Sequence, residues 1–94
     1  MQKKLIEVPR ATLDIYSYEK DGIQIYEFNA TECSPPEPMV NTIVSLELLK
    51  HETDILEVTF FHEPLPLYER ISQKYSHTSQ ELENGDILVT FRKK

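Results

Sequence analysis

The sequence predicts a two-layer α/β (α+β) sandwich, a mixed sheet with two helices packed on one face. Three observations lead there: two turn dipeptides set between strand-like segments, two proline-opened stretches of helical periodicity, and one alternating strand between those stretches.

The first dipeptide is Asp21-Gly22. Both residues tolerate the positive φ that a two-residue type I′ turn requires, so a hairpin is expected to join 14–20 to 23–29. A helix is expected next, over 36–50. Val40, Ile43, Val44 and either Leu46 or Glu47 recur near helical spacing, and Leu48 and Leu49 close the stripe. Ser34 or Pro35 would cap it, and Pro36 and Pro38 fall in the first turn, where a missing N–H costs little. Glu37 suits the positive end of the helix dipole, and Lys50 and His51 suit the negative end. A strand follows over 54–61, with Leu56, Val58 and Phe60 on one face and Ile55, Glu57 and Thr59 on the other. The second helix is expected from Pro64 to Tyr75 or Ser76, its apolar side formed by Leu67, Ile71 and either Tyr68 or Tyr75. Asn84-Gly85 then predicts a second type I′ hairpin between 79–83 and 86–92, with Ile87, Val89 and Phe91 sharing a face.

From Ile23 onward the order is therefore β-α-β-α-β-β, with an extra N-terminal strand paired to the first. Strands separated by helices imply a parallel crossover, and the final tight turn implies an antiparallel pair.

Ninety-four residues suffice for one core, and a single cysteine excludes an internal disulfide. The first residues carry charge but no apolar segment of the signal-peptide kind, and no run approaches the roughly 18 apolar residues a membrane span needs. A reducing, cytoplasmic setting is the expectation. Net charge is −6, and five of the ten basic residues lie at the termini: Lys3, Lys4, Arg92, Lys93 and Lys94. A body this acidic repels phosphate backbones, so nucleic acid is not an expected partner, and with no spanning run neither is a membrane.

The stretch Phe28-Asn29-Ala30-Thr31-Glu32-Cys33-Ser34-Pro35-Pro36-Glu37-Pro38-Met39 resembles the TusA/SirA-like sulfur carriers. Those proteins carry Leu-Asp-x-x-Gly-Leu-x-Cys-Pro-x-Pro from the first strand into the first helix. Pro36 and Pro38 fall on the two prolines of that motif. Pro35 takes the place of the nucleophilic cysteine, and Glu32 that of the glycine. The closer resemblance is to a cysteine-lacking branch of uncharacterised domains. Its Pro-Pro-Glu-Pro-Met and His-x-Pro-x-Pro-Leu motifs match Pro35–Met39 and His62-Glu63-Pro64-Leu65-Pro66-Leu67. The resemblance implies a TusA-like domain over 23–94 with residues 1–22 as an extension, all in one globular unit. Its extra strand would protect an exposed sheet edge. It implies no established chemistry.

Four residues are candidates for a ligand site. Cys33 lies close to a helix N-terminus, where the dipole favours a thiolate, but Glu32 and Glu37 oppose one. His62 falls at the C-terminal end of the central strand, at the edge of the sheet where ligands gather, and both proline turns should share that edge. His62 is also the one metal or haem candidate, and Glu63, Glu37, Glu32 or Cys33 would complete a site only if the fold gathers them; no metal or other cofactor is expected. An acidic residue is expected in the first turn of each helix, Glu37 and Glu63, and no Lys or Arg lies near either, which argues against phosphate binding. Tyr16 and Tyr18 share a face of the hairpin. If helices cover one side of the sheet only, an aromatic stripe on the other marks a partner surface, with ordinary cross-strand packing as the alternative.

The favoured expectation is a non-enzymatic accessory module that binds a protein partner or a ligand. The alternatives are a divergent sulfur carrier using Cys33 and a metal- or haem-binding module using His62.

Overall fold

The computed structural model describes residues 2–94. Its elements run β1 (Lys4–Ile6), β2 (Ile15–Lys20), β3 (Ile23–Asn29), α1 (Glu37–Leu46), β4 (Ile55–Phe60), α2 (Leu65–Ile71), β5 (Tyr75–Glu81) and β6 (Ile87–Lys93). The strands form one six-stranded sheet in the order β1-β2-β3-β4-β6-β5. Only β3 and β4 are parallel; every other neighbouring pair is antiparallel. This is the expected two-layer sandwich with one unforeseen strand. Three residues are too few to show a period of two, so β1 left no signal of its own.

The register sorts the sheet into two faces, because directly paired residues point the same way. Tyr26 and Phe28 of β3 pair with Leu56 and Val58 of β4, which pair with Phe91 and Val89 of β6. These residues form the inner face. Val44 and Leu46 of α1 and Leu67 and Ile71 of α2 pack on it in one cluster, together with Val8 and Ile15 from the N-terminal segment.

The Asp21-Gly22 hairpin has the anticipated geometry: both residues have positive φ, and Lys20 pairs directly with Ile23. The Asn84-Gly85 hairpin differs. Leu82 N–H donates to Asp86 O, Gly85 N–H donates to Leu82 O, and only Gly85 has positive φ. This is a three-residue loop, a type I turn closed by a glycine bulge. Asn84 Oδ1 accepts the Asp86 N–H at 3.0 Å, a local bond that competes with the tighter turn.

Both helices are shorter than their patterns predict. α1 is entered from Pro36 without a side-chain cap and ends at Leu46 rather than Lys50. The Leu46 carbonyl accepts both the Leu49 N–H and the Tyr75 hydroxyl, and the Asp54 carboxylate accepts the Lys50 and His51 N–H groups. Lys50 and His51 therefore lie beyond the helix. α2 stops at Ile71 because residues from Tyr75 onward pair along the whole of β6. It begins after Glu63, which lies outside its first turn.

The buried stripe of α1 is also not the one the hydropathy suggests. Val40 is 40% exposed, while Asn41, Thr42 and Ser45 are fully buried. Thr42 Oγ1 donates to the Pro38 carbonyl one turn earlier. Asn41 ties the β1–β2 connection to the helix. Its Oδ1 accepts the Thr12 and Leu13 N–H groups at 2.8 and 3.1 Å, and its Nδ2 donates to Thr12 Oγ1 and Glu37 O, both at 2.9 Å. A buried amide used to this extent is stabilising because no donor or acceptor is left unpaired.

Asn41→Ala strands two backbone N–H groups and should destabilise the fold by about 3 kcal/mol, read as a lower urea midpoint at unchanged slope. Ser45 Oγ is buried with no hydrogen-bond partner among the described residues. Ser45→Ala should therefore leave stability unchanged or raise it by about 1 kcal/mol in the same measurement.

Candidate functional site

Because β3 and β4 run parallel, the chain leaves both at the same edge of the sheet. After β3 it turns on Asn29, whose Oδ1 accepts the backbone N–H and the hydroxyl of Thr31. Ala30 N–H donates to Thr59 O, pinning this turn to the end of β4. After β4 it passes through Phe61–Pro64 into α2. The two proline turns therefore lie side by side, as the sequence implied, and enclose a groove of about 550 Å³.

Its lining is mostly apolar: Pro36, Met39, Phe61, Pro66 and Leu67 contribute, with His62 as the one imidazole. Phe61 and Leu65 stand 60% and 62% exposed, and the His62 ring lies 4.4 Å from the Phe61 ring at 60°. Neither Phe61 nor Leu65 was singled out from the sequence. The strand alternation does contain the signal for Phe61, since an inward Phe60 sends its neighbour outward.

The structure divides the four candidate residues. Cys33, His62 and Glu63 line the apolar groove. Glu37 lies on the other side of the Thr31–Ser34 segment, in a depression of about 870 Å³ whose carboxylates are Asp14, Glu27, Glu32, Glu37 and Glu57. Cys33 borders both. Glu37 Oε2 accepts the Thr12 hydroxyl at 2.6 Å. Glu63 Oε2 accepts the Tyr68 hydroxyl; burial, then that carboxylate, pushes the Tyr68 phenol well above its ordinary range. The Tyr68 ring in turn stacks on His77, centroids 3.6 Å apart and nearly parallel. Both Glu37 and Glu63 thus have structural partners. Among the described residues, no three His, Cys, Asp or Glu side chains converge into a group able to hold a metal ion.

Cys33 is half-buried, and its thiol donates to the Ala30 carbonyl at 3.4 Å. Burial raises its pKa, the Glu37 carboxylate adds to the rise, and a backbone hydrogen bond offsets part of it. The site keeps the thiol protonated, the opposite of what a persulfide carrier requires.

No protein-family model, curated protein or solved structure matches this chain. Among the described residues, no helix is long and apolar enough to cross a membrane.

Only the thiolate is alkylated, so iodoacetamide should modify Cys33 more slowly than free cysteine at neutral pH. Glu37→Gln removes a charge that holds the thiol up and should speed the reaction, which mass spectrometry over time will follow.

Proposed function

We propose that this chain is a non-enzymatic binding module of the TusA/SirA-like type, and that the groove between its two proline turns takes apolar side chains of a partner polypeptide. The observation that carries this reading is the apolar groove itself, in whose wall Phe61 stands 60% exposed. Its volume is that of an ordinary ligand site, but the largely exposed Phe61 ring in its wall favours a polypeptide over a small molecule. His62 and Glu63 provide the few polar groups that would orient such a segment.

The order β-α-β-α-β-β from β3 onward supports the family resemblance, and Pro35 at the position of the family's nucleophile supports a binding role over sulfur transfer. The raised Cys33 thiol weighs against sulfur carriage by that residue. Its free state supports a reducing, cytoplasmic setting.

Selection of random dodecapeptides displayed on phage tests the reading. A consensus with apolar residues at fixed spacing should emerge, and calorimetry should show affinity falling about tenfold or more in Phe61→Ser, an exposed position whose loss leaves the core intact. Absence of a consensus, or equal binding by Phe61→Ser, would overturn it.

A further inference from the structure

The helices cover one face of the sheet; the other carries a self-complementary arrangement of charge. The register places Tyr18, Ile25, Ile55 and Arg92 in one row across the open face, and Leu5, Tyr16, Glu27, Glu57 and Thr90 in the next. Beyond the second row lies Leu88, with the acidic depression and Asp14. Beyond the first lies Lys20, paired with Ile23. Ile25 is buried yet stands apart from the helix-side core, held under the Tyr and Ile side chains of this face. The face therefore carries Tyr18, Ile25 and Ile55 in its first row and the carboxylates Glu27 and Glu57 in its second, is acidic toward the end where β3 and β4 finish, and carries Arg92 and Lys20 toward the end where they start.

We propose that this face is the interface of a two-fold symmetric homodimer, the acidic end of each copy lying over the Lys20–Arg92 end of the other. A two-fold axis in the interface, crossing the strands between the two rows, reverses strand direction and exchanges the rows. It sets Lys20 at one end of β2 over Asp14 at the other end of the second copy's β2, and places Arg92 over the second copy's Thr90, one strand away from its Glu57. Tyr18 then meets Tyr16. Such an isologous arrangement satisfies each charge pair twice. The charges of the face are otherwise little used: among the described residues its one ion pair is Lys3–Glu27 at 2.9 Å. Lys20, Arg92 and Asp14 form none.

Six strands spaced about 4.8 Å apart and roughly 20 Å long present a footprint of about 500 Å² per copy before side-chain relief. That is at the low end for specific interfaces, the range of weak, concentration-dependent association. The surface is separate from the apolar groove, so the two proposals stand or fall independently.

Sedimentation velocity over a concentration series tests it on the full chain. The wild type should pass from monomer to dimer. Lys20→Asp should raise the midpoint concentration about tenfold or more, because the like-charge contact is created twice, and so should Asp14→Lys. The double exchange Lys20→Asp with Asp14→Lys should restore association, since each copy again offers opposite charges. Both positions of change are exposed, and circular dichroism checks that the fold is kept. A monomer at every concentration, or a double variant no better than either single one, would overturn the proposal.

Discussion

The constraint on which this structure depends is the stripe Leu56, Val58 and Phe60 on β4. All three are buried, and burying a side chain of this kind is worth about 1.5–3 kcal/mol each. The strand lies inside the sheet between β3 and β6, so the stripe can be covered only from above, and one layer of helix must do it. Both helices are thereby committed to the same face. Because β3 and β4 are parallel, the connection through α1 is a crossover. The entries to α1 and α2 then fall at one edge, and the apolar groove is the gap between those entries. The same commitment leaves the opposite face without a layer.

Two helices of ten and seven residues are small cover for six strands. The chain extends the layer with its N-terminal segment: Val8 joins the core, and Ala11 and Leu13 pack against it. A loop laid on a helix brings backbone polar groups under cover, and each must be paired. Asn41 does this for Thr12 and Leu13, and the Glu37 carboxylate takes the Thr12 hydroxyl. This explains why α1 buries Asn41. It also explains why Glu37 is not free for chemistry: its carboxylate accepts the hydroxyl and its carbonyl accepts from Asn41.

The fold was legible wherever periodicity or turn chemistry was strong. The alternation of β4 and β6, the Asp21-Gly22 turn and the proline-opened start of α1 each follow from local rules. What escaped depended on partners distant in sequence. The end of α1 is set by the Tyr75 hydroxyl at Leu46, twenty-nine residues away, and the end of α2 by the pairing of β5 with β6. The burial of Asn41 was unreadable because three of its four hydrogen bonds form only when the N-terminal loop docks. Of the candidate site, the shared edge of the two proline turns was legible from topology. The separation of Glu37 from His62 was not, since the Thr31–Ser34 segment that divides them has no regular structure to predict.

That segment also decides what the edge can do. A thiolate or persulfide beside it would need positive potential, from a helix dipole or a nearby cation. On one side Cys33 meets the carboxylates of Glu32 and Glu37; on the other it meets prolines, Met39 and Leu67. Neither environment stabilises an anion, and the half-buried thiol is driven toward its neutral form from both. The chemistry available at this edge reduces to apolar contact and a few hydrogen bonds with His62 and Glu63, which is what the proposed binding role would use.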